Sequence, residues 1–146
     1  AGRVRGGAAK TRRVITYAWP MPDPSLLEVF PSPSDAPFVI EHVAHEFTSL
    51  CPKTGHPDFG TVTFRFQPRA ARDGGVCVEL KSLKMYLQSF RNEGIFYEAV
   101  TNRLRDDLAA CMRPAWLVVK TDWAGRGGIR STIRATHGDV PAAWVV

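Results

Sequence analysis

The chain has only three cysteines, at positions 51, 77 and 111, and they form neither a Cys-x-x-Cys pair nor an even set. A disulfide framework is therefore excluded, and a reducing, cytoplasmic home is expected. No apolar run approaches the roughly 18 residues a membrane span needs, and the basic start lacks the apolar core of a signal peptide. There is no Gly-x-Gly-x-x-Gly after a strand and no Gly-x-x-x-x-Gly-Lys-[Ser/Thr], so neither Rossmann nor P-loop nucleotide binding is available. Acidic residues are missing from positions 1 to 20, which carry Arg3, Arg5, Lys10, Arg12 and Arg13, while the rest holds fourteen basic and fourteen acidic side chains. The net charge of +5 is thus a property of the tail, and the body is neutral. A Gly- and Ala-rich basic tail reads as a solvated, mobile arm rather than a dedicated RNA contact, and no nucleic-acid partner is expected.

What is present is enough for one compact domain: 146 residues, 45% of them hydrophobic. Six prolines between positions 20 and 37 forbid a long helix or central strand there and leave one helical turn at 25 to 30. Residues 1–37 therefore read as a basic, proline-rich arm and 38–146 as the folded domain. "FVIEHVAHEF" at 38 to 47 and "FGTVTFRF" at 59 to 66 are rich in β-branched and aromatic residues and read as strands. A short strand follows at 76 to 80. Leu83, Leu87 and Phe90 then recur at helical spacing, and after Gly94 a second helix carries Phe96, Val100, Leu104, Leu108 and Cys111 on one stripe up to Pro114. Positions 116 to 123 and 129 to 136 alternate as two more strands about "GRGG". The expected fold is α+β: an antiparallel four-stranded sheet with two helices on one face.

Between the first two strands lies "FTSLCPKTGHPD". A cysteine attacks only as its thiolate, and a free thiol needs a neighbour to ionise it at neutral pH. Asp58 follows Cys51 by seven residues across a turn stiffened by two prolines and Gly55, which puts a nucleophile and a proton-transfer partner in one loop. The plainer alternative is a small buried cysteine with a turn-forming aspartate, and Cys77 and Cys111, on apolar faces, are assigned to the core on that basis. His42, His45, Cys51 and His56 are close in sequence, but on a strand the first two point to opposite faces and "HVAHE" lacks the zinc-protease order, so no metal is expected. Lys81 and Lys84, three apart at the start of a helix, share a face that either is solvated or grips phosphates.

The segments "EFTSLCPKTGHPDFG", "VELKSLKMYLQSFRN", "FYEAVTN" and "RGGI" resemble, in order and spacing, the NADPH-dependent 7-cyano-7-deazaguanine reductases, the QueF nitrile reductases of queuosine biosynthesis. The likeness covers about positions 38 to 136, is to the single-module type, and includes an octapeptide at 79 to 86 similar to the signature that separates these reductases from their tunnelling-fold relatives. It implies a tunnelling fold assembled into rings, with a homo-oligomer of two stacked pentamers. It implies that Cys51 adds to the nitrile carbon to give a covalent thioimide, that Asp58 donates the proton to nitrogen, and that NADPH supplies two hydrides to reach the primary amine. Covalent capture splits a difficult reduction into easier steps. The resemblance further implies that Glu98 anchors the purine-like ring through two parallel hydrogen bonds, that Val78, Glu79, Leu80 and Tyr97 line the substrate pocket, and that Lys81, Lys84 and Arg126 contact the NADPH phosphates.

Two positions depart from the family pattern. Tyr97 stands where members commonly have histidine, although its hydroxyl can also bond to a base or an imine nitrogen. Val100 stands where some carry a cysteine, which removes a partner for a protective disulfide with Cys51. Two other readings are weighed: a sister transferase that attacks the same nitrile on tRNA with ammonia, and a non-catalytic ring that binds a purine or RNA. The octapeptide favours the reductase over the first, and the Cys51 and Asp58 pair favours it over the second.

Overall fold

A computed structural model describes residues 14–16 and 22–145. The expected solvated arm, with Arg3, Arg5, Lys10, Arg12 and Arg13, lies outside the described residues. The elements are β1 (Val29–Pro31), β2 (Ile40–Leu50), β3 (Pro57–Gln67), β4 (Val76–Val78), α1 (Leu80–Gln88), α2 (Tyr97–Met112), β5 (Trp116–Arg126) and β6 (Ile129–Gly138). β2, β3, β5 and β6 form an antiparallel sheet in that order, and β1 pairs with β4 apart from it. Alternation explains the sheet's buried face. Val62, Phe64 and Phe66 of β3 and Leu117 and Val119 of β5 point to one side, where they form a single cluster with Leu83, Tyr86 and Phe90 and with Val100, Leu104, Leu108 and Met112 of α2. The helices therefore cover one face of a four-stranded sheet, as expected. No helix among the described residues is long and apolar enough to cross a membrane.

Several local expectations are corrected. The helical turn in the proline-rich segment is shorter, Pro24–Leu26, because Val29 and Phe30 leave it to pair with Val78 and Cys77. Leu26 and Leu27 of the proline-rich segment pack against the core. The strand expected at 76 to 80 stops at Val78, since the Glu79 carboxylate accepts from the backbone N–H groups of Lys81 and Ser82 and caps α1. On α2 the inward position at the last turn belongs to Met112, 3% exposed, and Cys111 is only half-buried. Cys77, by contrast, is in the core at 2% exposure.

Two β-bulges re-aim the strands. β2 carries one extra residue between Ala44 and Phe47, and β5 one between Trp123 and Arg126. A one-residue insertion exchanges the two faces of a strand. Ahead of its bulge β2 turns the even-numbered Ile40 and Ala44 to the core; beyond it Phe47 and Ser49 face inward, 3% and 0% exposed. On β5 the inward residues are odd-numbered up to Trp123, and the bulge brings Arg126 round to that side.

Candidate active site

The β2–β3 hairpin closes through a six-residue loop, since Leu50 is still paired with Pro57. Cys51 is therefore the first residue of the loop, whereas Asp58 is not in the loop at all: it sits on β3, opposite Ser49. The loop is tied at both backbone groups of Cys51. Its N–H donates to the His56 carbonyl at 2.8 Å, and its carbonyl accepts from the Gly55 N–H at 2.8 Å. Gly55 has φ of 69°, a left-handed conformation that glycine adopts without steric cost. The link between the helices clamps the strand just before the cysteine, where the Leu50 N–H donates to the Glu93 carbonyl and the Ile95 N–H to the Leu50 carbonyl. The position of the Cys51 side chain is thus set by the backbone.

The sulfur is activated. The pKa of the Cys51 thiol is lowered to about 7, first by the Thr54 hydroxyl, against an opposing effect of burial, with the Lys53 and Thr54 amides and the Arg126 guanidinium adding to the lowering. Cys77 and Cys111 go the other way, because burial pushes their thiols up. Of the three, Cys51 alone is poised to be a thiolate near neutral pH.

Asp58 is buried, 4% exposed, and its carboxylate is not alone there. The Tyr97 hydroxyl donates to Oδ1 at 2.9 Å, and the Arg126 guanidinium forms an ion pair with the same oxygen. Tyr97 is held by stacking on Trp123, with ring centroids 4.0 Å apart and planes 10° from parallel, and burial with the Asp58 carboxylate pushes its hydroxyl up to about 12. Trp123 is fixed in turn by donating to Thr121 Oγ1 at 2.9 Å and by the edge of Phe47. Only a glycine fits across from it: a Cβ on Gly60 would lie 2.9 Å from the Asp122 carbonyl oxygen and 3.0 Å from the indole. Ser49 Oγ, fully buried beside Asp58, has no hydrogen-bond partner among the described residues.

The remaining residues singled out from sequence lie elsewhere. Glu98 follows Tyr97 on the first turn of α2 but points to solvent. The Val78 side chain is buried in the core, and Glu79 caps α1, with its carboxyl held below the usual range by the Lys81 and Ser82 N–H groups. Glu79, Leu80, Lys81 and Lys84 line a groove of about 820 Å³ between β2 and α1, together with Val43 and Arg91. None of Cys51, Asp58, Tyr97, Glu98 or Arg126 lines it. The structure thus brings Arg126 to the cysteine and the aspartate, and not to the lysines with which it was grouped. Sequence reading missed Thr54, Trp123 and Ser49. Thr54 had a signal, as a hydroxyl three residues beyond the thiol in a tight turn; the other two depend on strand register. Among the described residues no group of three or more His, Cys, Asp or Glu side chains could hold a metal ion.

Fold and site together define an α+β protein that holds an activated thiol beside a buried carboxylate. Residues 57–142 match the model of the QueF-like protein family, and the chain belongs to that family. A protein of Rhodopirellula baltica named NADPH-dependent 7-cyano-7-deazaguanine reductase is 55% identical over 114 residues, covering 77% of this chain and 90% of that one. Proteins of the same name from Anaeromyxobacter sp. strain K and Chlorobium phaeovibrioides are 54% and 53% identical, covering 80% and 77% of this chain and 92% and 93% of theirs. Among solved structures, the archaeosine synthase QueF-Like in its apo form has the same fold, with a TM-score of 0.60 at 23% identity over 75% of this chain and 99% of that one.

Proposed function

We propose that this chain is an NADPH-dependent nitrile oxidoreductase that converts 7-cyano-7-deazaguanine to 7-aminomethyl-7-deazaguanine in queuosine biosynthesis. The observation that carries the reading is the Cys51 thiol, lowered to about 7 on a backbone-fixed loop beside the buried Asp58. Cys51 is the nucleophile that captures the nitrile carbon as a thioimide, and Asp58 delivers the proton to nitrogen. Glu98, exposed at the start of α2, accepts the ring N–H groups of the base. Tyr97 stacks behind the site, and the segment Val78, Glu79 and Leu80 lines the substrate pocket.

The α1 groove suits a dinucleotide. Lys81 and Lys84 are both exposed on its wall, and two ammonium groups one helical turn apart match a pair of phosphates. When bound, NADPH supplies the hydrides. Because none of Cys51, Asp58, Tyr97, Glu98 and Arg126 lines the groove within one chain, a complete site calls for a neighbouring subunit. β2 and β6 are the outer strands of the sheet, with Val43 and Ile129 on them exposed at 42% and 73%. Edge-to-edge pairing between copies would cover both and close a ring, and we take the assembly to be two stacked pentamers in the cytoplasm. The deciding assay is NADPH oxidation with 7-cyano-7-deazaguanine: two NADPH consumed per amine formed is the expected result, and no oxidation beyond the substrate-free rate would overturn the proposal.

A further inference from the structure

Arg126 contacts Asp58 and lies within electrostatic reach of the Cys51 thiol. Its guanidinium pairs with Asp58 Oδ1 and faces the Cys51 sulfur, and the β5 bulge is the device that turns it inward. The side chain is 44% exposed on its solvent side, while the Asp58 side chain is 3% exposed. One cation thus reaches both the carboxylate and the thiol. We propose that Arg126 is a catalytic residue, a shared counter-ion that keeps one negative charge compensated as a proton passes from the Cys51 thiol to the Asp58 carboxylate and on to the nitrile nitrogen.

The steps balance without an added acid or base. With the thiol protonated, the charge sits on Asp58 and is paired with Arg126. Transfer of the S–H proton to Asp58 moves the charge to sulfur, still beside the same guanidinium. The thiolate then forms the C–S bond, one π bond of the nitrile breaks toward nitrogen, and Asp58 returns the proton there as N–H. Asp58 is again a carboxylate, paired with Arg126 as before. A preorganised cation that needs no reorientation between the two charge positions lowers the barrier to each transfer. The other titratable groups about the sulfur do not duplicate it. Tyr97 on α2 is held neutral as a donor to Asp58, and Lys53 and His56 are exposed on the solvent side of the loop.

This inference rests on the nitrile-capture reading, so its test has one arm that needs the substrate and one that does not. In the first, 7-cyano-7-deazaguanine is mixed with enzyme in the absence of NADPH, and adduct formation is followed by intact-protein mass. Arg126→Gln is expected to slow it by about 10- to 100-fold, and Arg126→Lys to recover part of the rate. In the second, alkylation of Cys51 by iodoacetamide is measured against pH. The wild-type midpoint is expected at about pH 7, and it should move upward in Arg126→Gln and less in Arg126→Lys. If Arg126→Gln keeps the wild-type adduct rate and alkylation profile, the inference is overturned, and a raised Michaelis constant for NADPH alone would return Arg126 to the cofactor. If wild-type enzyme forms no adduct while the alkylation midpoint still shifts, the coupling of Arg126 to the thiol stands and the nitrile reading fails.

Discussion

The tip of the β2–β3 hairpin and the groove beside α1 are built on opposite terms. Around Cys51 nearly every polar group is already engaged: both of its backbone groups are hydrogen-bonded, Asp58 is paired with Tyr97 and Arg126, and Tyr97 lies flat on a fixed indole. In the groove Lys81, Lys84 and Leu80 are exposed, the last at 62%. The difference teaches that the groups about the thiol are preassembled within one chain, whereas the groove is left open to what docks against it.

The sharpest way to break the comparison is at the sulfur. Cys51→Ala and Cys51→Ser should abolish the covalent adduct in intact-protein mass and nearly all turnover; an adduct that persists in Cys51→Ala would transfer the chemistry to another residue. Next comes the groove. Lys81→Ala with Lys84→Ala should raise the Michaelis constant for NADPH by about 10- to 100-fold, as expected from losing charge-assisted bonds, and shrink the preference over NADH, yet trap nitrile at the normal rate. Unaltered NADPH kinetics in the double variant would make these lysines a solvated face.

Smaller effects refine the preassembled side. Thr54→Ala removes the hydroxyl that does most to lower the Cys51 thiol, so the alkylation midpoint should rise from about 7, with reactivity lost at pH 6 to 7 and regained at higher pH. A profile that stays in place would assign the activation to the backbone amides and Arg126. The smallest effect is at Ser49, whose buried hydroxyl lacks a partner beside Asp58. Ser49→Ala should leave thermal stability unchanged or raise it by about 1 kcal/mol, since an unsatisfied buried group is removed. A loss of that size would mean that the hydroxyl is bonded to Asp58 in solution.

Much of this was legible in the sequence because local periodicity is strong there. Val62, Phe64 and Phe66 alternate, Val100, Leu104 and Leu108 recur at helical spacing, and both patterns survive as the core. The pairing of Val29 with Val78 was hidden, because a three-residue strand has no period of its own and its partner lies far along the chain. The bulges were hidden for another reason. One added residue leaves composition and hydrophobicity unaltered while it exchanges the faces of everything that follows, so Arg126 read as part of a turn and Ser49 drew no notice. At the end of α2 the stripe drifts by one position, which gives the core Met112 in place of Cys111.

The stack of Tyr97 on Trp123 has an optical consequence. An indole 1% exposed, its N–H satisfied by Thr121 and its face 4.0 Å from a phenol bonded to Asp58, is shielded from water but not from charge. Its emission should be blue relative to that of Trp144, 37% exposed, and should respond to the electric field of the Asp58 and Arg126 pair next to it. The protein therefore carries its own fluorophore against the Tyr97, Asp58 and Arg126 cluster, and a change of charge there should register in its emission without a label.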